Sequence, residues 1–161
     1  LINELASKTN LLNEAENWNG INILHTEASR VGALDLGVVP NKQVDDAKVV
    51  VLLGADNFRH EDIPENAYVI YLGTTGDEGV YYADLILPTA SYLEQDGTYV
   101  NMEGRVQRAL RATQPPGDAR EDWTILRALS SVLGKKLLVP VAAIAALLAA
   151  ALIFIIMAAP C

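Results

Sequence analysis

Cysteine is almost absent: Cys161, the final residue, is the only one in the chain. An internal disulfide is therefore excluded, and so is an iron–sulfur cluster held by this chain's own thiolates. Histidine is nearly as scarce. His25 and His60 lie far apart with no Cys or second His at ligand spacing, and both are expected to be structural or surface residues. Basic residues are also few, 12 Lys and Arg against 20 Asp and Glu for a formal charge of −8, which argues against a nucleic-acid surface and disfavours an anionic membrane surface. No charged residue follows Lys136, so the chain divides into a mixed part and an almost wholly apolar end. The start, Leu-Ile-Asn-Glu, has no initiator Met and no basic presequence, as expected of an internal piece or a mature form.

What remains is long enough for one domain with a core. Apolar positions 1, 2, 5, 11 and 12 predict a short helix ending near Asn10, and Asn17 to Ile21, with Trp18 and Gly20, reads as a turn. Positions 23, 24, 28, 31, 34 and 36 predict a second helix over 23–36, with Ala28, Gly32 and Ala33 permitting close packing. Pro40 and Asn41 break it. Lys48 to Gly54 and Ala67 to Gly73 are continuous β-branched and aliphatic runs, the pattern of strands buried on both faces of a parallel sheet, and Ala83 to Leu87 repeats it. Strands separated by short helical links predict an α/β fold with a Rossmann-like, mostly parallel sheet. Each of the first two strands ends at a Gly, where such sheets place their crevice. Gly54-Ala55-Asp56-Asn57 is not GxGxxG, however, and is better read as a tight strand-to-loop turn than as a dinucleotide loop.

Gly117 to Glu121 opens the clearest helix, with Asp118 and Glu121 at capping-box spacing. Trp123, Leu126, Leu129, Val132 and Leu133 recur as a core-facing stripe, Gly134 suits the C′ position, and Lys135 and Lys136 complement the helix dipole.

The longest motif is Ala83 to Gln107: Ala-Asp-Leu-Ile-Leu-Pro, a small-residue segment, an acidic turn at Gly97, Thr-Tyr-Val-Asn, a second turn at Gly104, then Arg-Val-Gln. It resembles a signature shared by the molybdopterin oxidoreductase superfamily and its cofactor-free relative, the 75 kDa-type large iron–sulfur subunit of mitochondrial NADH:ubiquinone oxidoreductase (respiratory complex I). Gly76 to Pro88, Gly97 to Gln107 and Pro115 to Ser130 are similar to the complex I type specifically, and Ser29 to Gly37 and Leu52 to Asp56 fit it too. The resemblance covers residues 1–137 and corresponds to a late portion of that subunit's C-terminal domain. It implies a mitochondrial, matrix-facing segment of the peripheral arm at the inner membrane, with other peripheral-arm subunits as partners. The family's iron–sulfur clusters are bound by an N-terminal region with no counterpart here.

In the superfamily's molybdenum and tungsten enzymes, the loops matching Asn101, Glu103 and Arg105 lie near the pterin's polar groups. Gly97 and Gly104 would permit close backbone approach there, and Arg105 offers a planar fork for phosphate. The plainer reading is that these residues close two adjacent turns, with Arg105 paired to Glu103, Asp96 or Glu94. That reading is preferred, because a pterin dinucleotide needs many more contacts than this piece contains. No catalytic, cofactor-binding or metal-binding residue is therefore assigned.

Residues 138–161 depart from the resemblance. Val141 to Ala159 contains no polar side chain and as a helix would be about 28 Å long, near the hydrocarbon thickness of a bilayer. A membrane anchor, a buried apolar helix, a truncated or frameshifted terminus and misassigned residues all stay open. The leading expectation is a non-catalytic scaffold segment of complex I supporting electron transfer from NADH to ubiquinone. The alternatives are a fragment of a molybdopterin-dependent oxidoreductase such as a formate dehydrogenase and, more weakly, a membrane-tethered interaction module.

Overall fold

A computed structural model describes residues 2–9, 11–13, 15, 18–38, 47–134 and 153–157. Helix α1 (Ile2–Lys8) ends where expected. Within the expected turn at 17–21, Trp18 and Asn19 instead supply one arm of a small antiparallel hairpin. Strand β1 (Leu12–Asn13) pairs with β2 (Trp18–Asn19), and the Gly20 amide donates to the Leu11 carbonyl at 2.7 Å. The second helix is much shorter than its periodicity predicts, because α2 covers only Arg30–Asp35. Ser29 sits in the left-handed region at φ 58°, which a helix cannot propagate through, and Ile23 and Leu24 stay exposed.

Strands β3 (Val49–Leu53), β4 (Tyr68–Gly73) and β5 (Leu85–Pro88) form the parallel sheet that the apolar runs predict, in the order β5-β4-β3. Each β-branched or aliphatic side chain alternates faces, so one sheet builds two cores. Val50, Leu52, Val69 and Tyr71 pack under the two links, 3-10 turns at His60–Asp62 and Glu78–Tyr82, with Phe58, Ile63 and Val80. Val51, Leu53, Ile70 and Leu72 pack on the other face against Leu126. Burying each such side chain contributes about 1.5 to 3 kcal/mol. The expectation of two-sided burial fails at β5, an edge strand with Ile86 49% exposed. Its backbone is nonetheless anchored, because the Asp84 carboxylate accepts from the Val69 amide at 2.8 Å.

Strands β6 (Gly97–Val100) and β7 (Val106–Ala109) make a separate antiparallel hairpin. Helix α2 lies against it: the Val100 amide donates to Ser29 Oγ at 2.8 Å, and a Cβ on Gly32 would meet Val100 Cγ2 at 2.7 Å. The close packing expected at Gly32 and Ala33 is therefore present, while Ala28 is exposed.

Helix α3 (Asp122–Val132) begins later than its sequence signals predict, and no capping box forms from Asp118 and Glu121. The sheet edge recruits the preceding backbone: Thr89 and Arg120 form a parallel bridge, with the Ala90 amide donating to the Arg120 carbonyl at 2.9 Å. The helix then turns its Asp122-Leu126-Ser130 face inward. Trp123 is half-buried, and Val132, expected in the core, is 84% exposed. Gly134 takes the C′ conformation at φ 67°, as expected.

Of the apolar tail, only residues 153–157 are described. They are not helical: β8 (Ile153–Met157) pairs antiparallel with β3, satisfying the edge that β4 leaves open. The rest of the predicted membrane-length segment, with Lys135 and Lys136, lies outside the described residues. No helix among the described residues is long and apolar enough to cross a membrane.

Candidate functional site

The carboxyl ends of β3, β4 and β5 open into a crevice of about 690 Å³, the position at which parallel sheets present their binding sites. Leu53 and Gly54 reach it from β3, Gly73 and Thr74 from β4, and Pro88 and Thr89 from β5. Gly54 turns the chain away at φ 55°, and Gly73 lies so close to the Tyr71 ring that a Cβ would collide with it. The two strand-end glycines thus have physical reasons to be glycine, and they lie beside the crevice as the sequence pattern predicts. The opposite wall comes from residues 91–95 and 116–122. Its turn is closed by the Ser91 amide on the Glu94 carboxylate at 2.9 Å.

The group that stands out is Asp122, at the first position of α3. It is 8% exposed, yet its Oδ1 has no hydrogen-bond partner among the described residues. Burial pushes its carboxyl up to about 6, offset in part by a hydrogen bond from Thr89 and reinforced by the charge of Glu121. Tyr99 is raised as well, by burial first and then by the charge of Asp122. Sequence reasoning passed over Asp122 because it reads as an acid at a helix start. The available signal was its i, i+4, i+8 relation to Leu126 and Ser130, a buried stripe that opens with a carboxylate.

The residues singled out in the sequence are dispersed. Asn101 closes the β6–β7 turn: its Oδ1 accepts from the Glu103 amide at 3.0 Å and the Arg105 amide at 2.8 Å. Gly104, at φ 78°, completes that turn. Arg105 is exposed and forms no ion pair with Glu103, Asp96 or Glu94 among the described residues; the cation facing Asp96 is Arg108, at 3.8 Å. Asn101 lines a smaller cavity of about 410 Å³ together with His25, and neither Glu103 nor Arg105 contributes to it. His60 lines neither cavity and is stacked on Tyr82 at 5.1 Å between ring centroids. Among the described residues, no group of three or more His, Cys, Asp or Glu side chains could hold a metal ion.

Residues 1–132 match the Molybdopterin oxidoreductase family. The chain belongs to that family. It is 56% identical, over 140 residues, to the mitochondrial NADH-ubiquinone oxidoreductase 78 kDa subunit of Candida albicans, covering 85% of this chain and 19% of that protein. It is 51% identical over 132 residues to the NADH-ubiquinone oxidoreductase 75 kDa subunit of Reclinomonas americana, covering 77% of this chain and 19% of that protein. The mitochondrial NADH dehydrogenase [ubiquinone] iron-sulfur protein 1 of Solanum tuberosum is 49% identical over 119 residues, 73% of this chain and 16% of its own length. The chain thus spans less than a fifth of the length of these relatives.

The family name implies a pterin carrying phosphate, and the crevice lining does not suit one. Among the described residues it offers four carboxylates, Glu27, Glu94, Asp118 and Asp122, and no Lys, Arg or His. A phosphate there would face repulsion from each of them with no compensating donor fork.

Proposed function

We propose that this chain is a scaffold portion of the large iron–sulfur subunit of NADH:ubiquinone oxidoreductase, lying in the peripheral arm on the matrix side of the mitochondrial inner membrane. The observation that carries this reading is the 56% identity to the 78 kDa subunit over 85% of the chain. The acidic lining of the crevice is in keeping with it, because a phosphate-bearing cofactor placed there would meet carboxylates. In this role the segment binds no cluster and no pterin. Its chemistry is packing: a two-faced parallel sheet that presents surfaces to neighbouring parts of the assembly.

The test has two parts. Iron, sulfide, molybdenum and tungsten analysis of the purified chain is expected to find none at stoichiometric level. Grafting the segment into a fungal 78 kDa subunit in place of its counterpart is expected to yield assembled enzyme with normal NADH turnover per assembled complex. Stoichiometric metal on the chain, or assembled enzyme with slowed intrinsic turnover, would overturn the scaffold reading.

A further inference from the structure

We propose that the crevice at the carboxyl ends of β3, β4 and β5 receives an arginine side chain from a neighbouring polypeptide segment, whose guanidinium pairs with the Asp122 carboxylate. Two independent observations carry this. Asp122 is more than nine-tenths buried in the crevice lining, with Oδ1 lacking any partner among the described residues. Among the described residues the lining adds three further carboxylates and no cation, so the local field selects a positive group and repels an anion. A buried carboxylate with one oxygen left unpartnered is costly unless a partner completes it.

The kind of cation follows from the remaining chemistry. A metal ion is disfavoured, because the carboxylates do not converge into a cluster that could hold one among the described residues. A volume of about 690 Å³ admits a whole side chain with its backbone, and Leu53, Ala90 and Ala119 offer apolar wall for an aliphatic stem. Guanidinium suits the site better than ammonium, being more weakly hydrated and able to engage a carboxylate through two parallel donors. Tyr92 in the lining is 68% exposed, a side chain of the type that anchors a peptide rather than a free ion. The charged and titratable groups around the guanidinium would be Glu27, Tyr92, Glu94 and Asp118 from the walls, with Tyr99 and the Glu121–Arg111 pair adjoining Asp122.

The polypeptide source rests on the scaffold reading, which places the chain in a multi-subunit assembly. Guanidinium binding is measured on the chain alone, so the two readings fail separately. The probe is N-acetyl-arginine-N-methylamide, titrated against the full chain while the Asp122 side-chain carbon is followed by NMR. Saturable binding is expected, with the Asp122 titration midpoint lowered by one pH unit or more, a tenfold change in proton affinity. Asp122→Asn should weaken binding at least tenfold, and Asp118→Asn, an exposed wall position, about threefold. The uncharged citrulline analogue should not bind. Absence of saturable binding, equal binding by Asp122→Asn, or binding of inorganic phosphate at the crevice would overturn the cation site. Spermidine binding as tightly as the arginine probe would overturn the polypeptide assignment in favour of a free polyamine.

Discussion

Tyr71 and Asp56 are locked together across the sheet: the phenolic hydroxyl donates to the two carboxylate oxygens at 3.2 and 3.3 Å, while the Gly79 amide donates to Oδ1 at 2.8 Å. Tyr71 belongs to β4, Asp56 follows β3, and Gly79 lies in the link to β5, so one carboxylate ties three consecutive segments. The Tyr71 ring is closely flanked by Gly73 and Gly79, where a Cβ would overlap it. Gly79→Ala is therefore expected to cost about 1 to 3 kcal/mol by overpacking, read as a lower urea midpoint with an unchanged slope.

The same contact governs ionisation of the phenol. Burial raises Tyr71 to about 12, and the Asp56 charge adds to it. Spectrophotometric titration should find Tyr71 among the last tyrosines to ionise, and Asp56→Asn should bring its midpoint down. An unchanged midpoint in that variant would show that the carboxylate does not face the ring oxygen in solution.

Asp122 makes stability depend on pH in an unusual direction for an acid. Its folded carboxyl, at about 6, lies above the ordinary aspartate value of about 3.9, so between these values the folded state binds more protons than the unfolded chain. Its contribution is then fully present below about pH 4 and is lost as pH rises through 6, amounting to about 3 kcal/mol by linkage. Asp122→Asn should be more stable than the parent at pH 7 and should flatten this slope. Urea unfolding of both proteins from pH 4 to 7.5 checks it, and a parent whose stability rises over that window would contradict the assignment.

Trp123 is half-buried and donates its indole N–H to Glu121 Oε2 at 2.6 Å, whereas Leu126 is buried against Leu53 and Leu72. Leu126→Ala should cost about 2 to 5 kcal/mol and Trp123→Ala less, about 1 to 3. Thermal unfolding of the two variants gives the order directly. A larger loss at Trp123 would mean that α3 is rotated from the orientation described.

Arg105→Ala should change stability by no more than about 0.5 kcal/mol, because its guanidinium is exposed and forms no ion pair with the nearby carboxylates. Asn101→Ala removes an acceptor shared by two backbone amides and should cost about 1 kcal/mol. The comparison distinguishes a turn held by Asn101 from one held by an arginine ion pair, and a costly Arg105→Ala would favour the latter.

The parallel sheet was legible in the residues, because apolar runs ending at Gly54 and Gly73 have few other ways to bury both faces and turn sharply. The crevice beside those glycines was legible for the same reason, as was the close approach at Gly32. These are local consequences of side-chain pattern and backbone freedom, which adjacent residues carry without reference to the rest of the fold. What the pattern could not supply depended on partners distant in the chain. Capture of Arg120 by the β5 edge set where α3 begins, and Ser29's link to Val100 accompanied the early limit of α2. Burial in the tertiary structure turned Asp122, which a helical wheel assigns to an ordinary first turn, into a desolvated carboxylate with one oxygen unpartnered among the described residues. Desolvation is a property of everything that surrounds a group, and no neighbour in sequence reports it.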